Sequence, residues 1–107
     1  MGPITDGTPS DLHFDKLFLG TNGIDLERGV TTPNLAEAEA KRAMIRSARE
    51  TILVADSSKF GRAAFARICG VERLHGLITD EGAPAPVREA ISRLGVRVIV
   101  APPRGPR

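Results

Sequence analysis

Residues 52–62 read ILVADSSKFGR, an apolar run that gives way abruptly to polar, glycine-containing sequence. The run Ile52–Ala55 has the length of a strand and is rich in β-branched residues, which favour extended backbone. The residues after it, Asp56 to Gly61, have the composition of a turn. The pattern therefore predicts a buried strand that ends in a polar turn.

Three further apolar runs of strand length accompany this one: Leu17–Leu19, Leu77–Ile78 and Val96–Val100. Helical sequence separates them. A first helix is predicted over residues 35–49 with Asn34 as its N-cap, and a last helix over 86–94 with Gly95 as its C-cap glycine. A shorter helix is predicted around Ala63–Ile68.

The predicted order is strand, helix, strand, short helix, strand, helix, strand. Such alternation is typical of α/β proteins in which right-handed crossovers join parallel strands. We therefore expect a small Rossmann-like, mostly parallel sheet of about four strands with flanking helices. Four strands make a thin sheet, whose edges are available for more of the same domain.

The length of 107 residues suits one small domain. Residues 1–12 carry no apolar period and are predicted to be a flexible lead-in. Residues 102–107, PPRGPR, are predicted to be a disordered tail. The folded part is expected over residues 13–101.

Composition narrows the classes of function. The hydrophobic fraction is 41% and the net charge is +2, without a basic stripe interleaved with aromatic residues. Cys69 is the single cysteine, so neither an intrachain disulfide nor a thiolate metal site of the usual spacing is expected. No membrane span or signal region is evident, and we expect a cytoplasmic protein. No motif indicates a cofactor, a bound metal or a catalytic residue.

Polar, turn-rich sequence follows three of the predicted strands, at Gly20–Asp25, Asp56–Gly61 and Thr79–Gly82. If the strands are parallel, these loops meet at one rim of the sheet, where open α/β sheets bind ligands. Lys59 supplies a point charge suited to phosphate or carboxylate. Each loop also fits ordinary turn chemistry, and a loop lysine is commonly solvated, so both interpretations stay open.

The first predicted helix has two charges on its apolar face. Glu37 and Lys41 lie among Leu35, Ala38 and Ile45 at 100° per residue. Their i,i+4 spacing, with the glutamate first, favours pairing. Either they form a structural ion pair with a snorkelling lysine, or they line a polar cleft where the apolar stripe ends.

Four segments together resemble a known family: FDKLFLGTNGIDLERGVTTPNLAEAEAKRAMI (14–45), ILVADSSKFGR (52–62), LITDEG (77–82) and LGVRVIVA (94–101). A strand ending in G-x-N-G-I-D, followed by T-T-P, E-A-x-x-K-R and A-D-S-S-K-F-G, resembles the C-terminal part of the sensor domain of DeoR-family transcriptional repressors. The resemblance implies a fold related to ribose-5-phosphate isomerase, and a ligand that is a phosphorylated sugar or a related metabolite.

The resemblance also implies the residues that face the ligand: Gly20, Asn22, Gly23, Asp25, Glu37, Lys41 and Lys59. Family members are more than twice as long as this chain. Their N-terminal helix-turn-helix domain and the first part of their sensor domain have no counterpart here. DNA is therefore expected to be bound only through that missing domain, and a homo-oligomer is expected.

An enzyme on the same fold, a sugar-phosphate isomerase or deaminase, is the alternative. That interpretation needs a carboxylate base over the sugar. Asp25, Asp80 and Glu81 are candidates by position only.

Overall fold

The computed structural model describes residues 13–102, which form two β-sheets and two α-helices. The strands are β1 (Phe14–Leu19), β2 (Gly23–Asp25), β3 (Gly29–Thr32), β4 (Ala48–Val54), β5 (Ala66–Cys69), β6 (Gly76–Asp80) and β7 (Arg97–Ala101). The helices are α1 (Leu35–Arg46) and α2 (Ala85–Arg93), with short 3-10 turns at Ser57–Lys59 and Val71–Arg73. The predicted lead-in 1–12 and most of the predicted tail lie outside the described residues.

The four predicted strands form one parallel sheet in the order β1-β4-β6-β7. Leu53 on β4 pairs with Leu19 on one side and with Leu77 on the other, and Leu77 pairs with Val98. These central leucines are fully buried. The predicted α/β class, with its parallel sheet and flanking helices, is confirmed.

A second sheet was not predicted. Strands β2, β3 and β5 form an antiparallel sheet, so the loop predicted at Gly20–Asp25 ends in a strand. The short helix predicted around Ala63–Ile68 is wrong, because β5 occupies Ala66–Cys69. Within β5, Ala66 and Ile68 are buried whereas Arg67 is exposed, which is the period of two expected of a strand.

Helix α1 begins as predicted and ends early. Asn34 caps it, since its side chain accepts a hydrogen bond from the amide of Glu37 at 3.0 Å. The predicted end at residue 49 is wrong, because the amide of Ser47 closes the helix on Met44 and Ala48 already belongs to β4. Helix α2 ends at Arg93, and Gly95 has the positive φ of +94° that its predicted role requires.

One hydrophobic core lies between the parallel sheet and the remaining elements. Leu53 and Leu77 contribute from the sheet, Ala38 and Ile45 from α1, and Ile91 from α2. The antiparallel sheet joins the same core. Neither α-helix of the described part of the chain is long and apolar enough to cross a membrane.

Candidate functional site

Lys41 joins α1 to the end of β1. Its Nζ donates a hydrogen bond to the carbonyl oxygen of Gly20 at 3.0 Å and lies 3.3 Å from Oε2 of Glu37. The lysine side chain is only 17% exposed, whereas that of Glu37 is 46% exposed. Lys41 is thus a mostly buried anchor, and the Glu37 carboxylate keeps an open side toward solvent at the strand ends.

Threonine hydroxyls fix the loop after β1. Thr32 donates from Oγ1 to Oδ1 of Asn22 at 3.2 Å, and Thr21 donates from Oγ1 to the carbonyl oxygen of Thr31 at 2.8 Å. Asn22 is exposed, so its amide nitrogen is available to a ligand once its oxygen is held. The pairing orients Asn22 through β3.

Strand β2 connects this loop to the turn after β4. Ile24 forms a parallel bridge with Phe60, and the amide of Gly61 donates to the carbonyl oxygen of Ile24 at 2.9 Å. Gly23 faces the carbonyl group of Arg62 so closely that a β-carbon would collide with it. Lys59, the neighbour of Phe60, is thereby brought to the same end of the molecule as Gly20 and Asn22.

The turn that carries Lys59 is capped by Asp56. The Asp56 carboxylate accepts from the amide of Ser58 at 2.8 Å and also from the Ser58 hydroxyl. The Ser58 hydroxyl and amide lower the pKa of Asp56, and the charge of Lys59 acts in the same direction. Among the described residues, Lys59 forms no ion pair. It therefore presents a half-buried cation whose charge is not neutralised by a carboxylate contact.

Asp80 ties the loops after β4 and β6 together. Its carboxylate accepts from the amide of Ser57 at 2.9 Å and from that of Gly82 at 2.7 Å. These hydrogen bonds lower the pKa of Asp80, that of Ser57 most. A carboxylate held ionised in this way is a weak proton acceptor, which fits a structural role at the rim better than that of a base.

Asp25 is the last residue of β2, and its carboxylate stabilises the turn between β2 and β3. Its Oδ2 accepts from the amides of Glu27 and Arg28 at 3.0 and 2.9 Å. The other six predicted site residues lie in the loop after β1, the start of β2, α1 and the turn after β4. The structure therefore collects most of the predicted set near the carboxyl ends of β1 and β4 and gives Asp25 a local role.

Sequence reasoning missed the groups that hold this site in place. The Asn22–Thr32 and Asp80–Ser57 contacts span 10 and 23 residues, and no local pattern signals them. In the sequence, the T-T-P stretch is part of the family motif and does not indicate these hydrogen bonds. Its threonines bond to the loop after β1 because β3 pairs with β2.

The sequence matches a known protein family. The sequence profile of the DeoR C terminal sensor domain matches residues 1–81. The chain belongs to the DeoR C-terminal sensor-domain family. It is similar to the HTH-type transcriptional regulator GlpR of Haloferax volcanii, with 42% identity over 99 residues, 92% of this chain and 39% of the relative.

Two bacterial relatives extend the comparison. The putative aga operon transcriptional repressor of Escherichia coli O157:H7 is 48% identical over 88 residues, 82% of this chain and 33% of the relative. The HTH-type transcriptional repressor GlcR of Bacillus subtilis is 33% identical over 91 residues, 85% of this chain and 35% of the relative. This member of the DeoR sensor family thus spans between a third and two fifths of the length of these relatives.

Proposed function

We propose that this chain is the ligand-sensing part of a DeoR-family transcriptional repressor and that it binds a phosphorylated sugar or a related metabolite. The observation that carries the proposal is the half-buried Lys59, which has no ion-pair partner among the described residues and lies at the carboxyl end of β4. An ammonium group in that position suits a phosphate.

The surrounding groups suit the rest of a sugar phosphate. The carboxylate of Glu37 accepts hydrogen bonds from hydroxyl groups, and the amide nitrogen of Asn22 donates them. Gly20, which is exposed, lets a ligand approach the backbone closely, and Gly23 positions the ligand loop by packing against the carbonyl group of Arg62. Lys41 holds Glu37 and the loop after β1 in place. In this proposal Asp25 supports the ligand loop through its turn and does not contact the sugar.

The names of the relatives support a role in transcription. One is named a repressor of the aga operon, and others are named HTH-type regulators or repressors. We infer that residues 13–101 are the C-terminal portion of the effector-binding domain. DNA would be bound by a helix-turn-helix domain in the part of the regulator outside the matched region, and such a regulator acts in the cytoplasm.

The carboxylates argue for a binding module over an isomerase or deaminase. Asp25 and Asp80 each accept hydrogen bonds from two backbone amides, which gives both carboxylates a structural role in a turn. Glu81 is exposed to solvent at the rim. An enzyme of this type needs a carboxylate that is held over the sugar and available for proton transfer.

A thermal-shift screen of this chain against matched sugars and sugar phosphates tests the proposal. We expect at least one sugar phosphate to raise the melting temperature, the unphosphorylated sugar to act far less, and inorganic phosphate to act weakly. NMR spectra of the incubated ligand should show no turnover. Stabilisation by sugars irrespective of phosphate, or conversion of the ligand, would contradict the proposal.

A further inference from the structure

A groove rich in arginine runs between the second half of α1 and β5. We call it the arginine groove, after the four arginines that line it together with Glu72: Arg42, Arg46, Arg67 and Arg73. Its volume is about 510 Å³. Pockets that bind small molecules have volumes of this order. The groove is therefore large enough for a small ligand.

The charges of the arginine groove are not neutralised within the described part of the chain. No described residue forms an ion pair with any of its four arginines. Its one acidic residue is Glu72, whose carboxylate lies over Gly70 so closely that a β-carbon there would collide with it. Four positive charges against one negative charge leave an excess of three. Such an excess attracts a ligand that carries several negative charges.

The floor of the arginine groove is apolar and uncharged. Ile45 and Ile68 line it from below and are buried, and Cys69 is half-buried. Burial raises the pKa of the Cys69 thiol, although the charges of Arg73 and Arg67 act in the opposite direction. The thiol therefore stays protonated near neutral pH. An anion in the groove would meet no negative charge at the floor.

Arg42 ties the two walls of the groove together. It is half-buried on α1, and its guanidinium donates from Nη1 to the carbonyl oxygen of Arg67 on β5. A guanidinium has five N–H donors, so this contact leaves others for a ligand. Arg46, one turn further along α1, is exposed, and so are the side chains of Arg67 and Arg73 on the other wall. The planar fork of a guanidinium pairs with two oxygens of one phosphate group.

The arginine groove and the candidate site lie at opposite ends of the fold. Arg46 comes two residues before the start of β4, and Arg73 comes three residues before the start of β6, so the groove lies near the amino ends of these strands. The candidate site lies near the carboxyl ends of β1 and β4. Along α1, Glu37 and Arg46 are nine residues apart, which corresponds to about 13 Å. The two are therefore different sites.

We propose that the arginine groove binds a small ligand with two phosphate groups, a pyrophosphate or a bisphosphorylated metabolite. The excess of positive charge and the guanidinium forks favour phosphate groups. The limited volume and the apolar floor favour a small molecule over duplex DNA, whose charges are spread along an extended helix. The inference is independent of the function proposed above, because it rests on other residues.

NMR titration of the isotope-labelled chain with inorganic pyrophosphate tests the proposal. We expect the amide signals of residues 42–46 and 67–73 to shift, and pyrophosphate to bind at least about tenfold more tightly than orthophosphate, because it pairs with more guanidinium groups. Arg46→Gln combined with Arg73→Gln should weaken binding by about tenfold or more. Arg93→Gln is the matched control, because Arg93 is exposed in the last turn of α2, as Arg46 is in that of α1.

A further variant separates this site from the candidate site. Lys59→Ala should leave the shifts of the groove unchanged, so a failure of the function proposed above would not alter this result. Circular dichroism confirms that the variants fold, and either single substitution replaces the double variant if that variant does not.

Three results would overturn the proposal. One is that the amides of the groove do not shift at about 10 mM pyrophosphate. Another is that Arg93→Gln weakens binding as much as the substitutions in the groove, since the effect would then be one of net charge. The third is that a short DNA duplex shifts the same amides at a lower concentration than pyrophosphate, which would assign the groove to nucleic acid.

Discussion

Lys41 on α1 donates a hydrogen bond to the carbonyl oxygen of Gly20 at 3.0 Å, which fixes the helix to the end of β1. The apolar stem of the lysine is buried and its charge meets Glu37 at 3.3 Å. The two interpretations left open by the sequence are compatible, because Lys41 fixes α1 to the end of β1 and also pairs with a Glu37 carboxylate that is partly open to solvent.

Replacing Lys41 by Met should lower the free energy of unfolding by about 1–2 kcal/mol, since a charged hydrogen bond is lost while the apolar stem is kept. Urea denaturation measures this. Lys16→Met is the control, because Lys16 and its partner Glu50 are both about half exposed, and its effect should stay within about 0.5 kcal/mol. Equal effects of the two substitutions would contradict the anchoring role of Lys41.

Lowering the pH should reduce the free energy of unfolding, because Asp80 joins the loops after β4 and β6 through its ionised carboxylate. The pKa of Asp80 is lowered in the folded chain by the amides of Ser57 and Gly82, so its contribution to stability is complete above its ordinary value of 3.8 and is lost as the pH falls through the folded value. Denaturation at a series of pH values should show a steeper loss below 3.8 for the native chain than for Asp80→Asn. Glu81→Gln, at the exposed neighbouring carboxylate, should follow the native curve.

Two glycines with positive φ should differ in their tolerance of a side chain. Gly29 has φ +85° and a β-carbon there would collide with the carbonyl oxygen of Cys69, whereas Gly61 has φ +80° and open space around it. We expect Gly61→Ala to cost about 1–2 kcal/mol for backbone strain alone. Gly29→Ala should cost more, because the pairing of β3 with β5 must also shift. If urea denaturation gave the two variants a similar loss in free energy of unfolding, the close packing of Gly29 against Cys69 would be contradicted.

Thr79 has a buried hydroxyl that no described residue pairs with. Its neighbours on the covered side of the sheet include Leu77 and Val100. Thr79→Val removes the cost of burying an unpaired polar group, about 1–3 kcal/mol, while nearly keeping the shape of the side chain. The variant should therefore unfold at higher urea concentration than the native chain. A lower midpoint would show that the hydroxyl has a partner in solution.

The sequence predicted the parallel sheet because its strands are apolar and separated by helices with local signals, such as Asn34 and Gly95. The antiparallel sheet carried no such signal. Strand β2 has three residues and β3 has four, and both lie in glycine-rich sequence that is equally typical of turns. The helix predicted over the segment of β5 is wrong, because a run of four residues does not distinguish the helical period of 3.6 residues from the strand period of two.

The sequence predicted the position of the candidate site from the points at which strands end. It did not predict the contacts that hold the site in place. Motif positions placed Gly20, Asn22 and Lys59 after strands, and the structure has all three in the segments that follow β1 and β4. Their contact with a ligand stays a prediction. The role of Asp25 depends on which backbone amides its carboxylate reaches, and that is set by the tight turn between β2 and β3. Contacts made by pairing distant strands become visible only in three dimensions.

Calorimetric titration of this chain and of Lys59→Ala with the sugar phosphate that stabilises it best tests the central claim most directly. A hydrogen bond to a charged partner contributes about 1.5–3 kcal/mol, so the account predicts that Lys59→Ala weakens binding about 10- to 150-fold with an unchanged melting temperature. Lys59→Arg should restore binding only in part, and Lys16→Ala, at the opposite end of the sheet, should bind like the native chain. Equal affinity of the native chain and the folded Lys59→Ala variant would contradict the account.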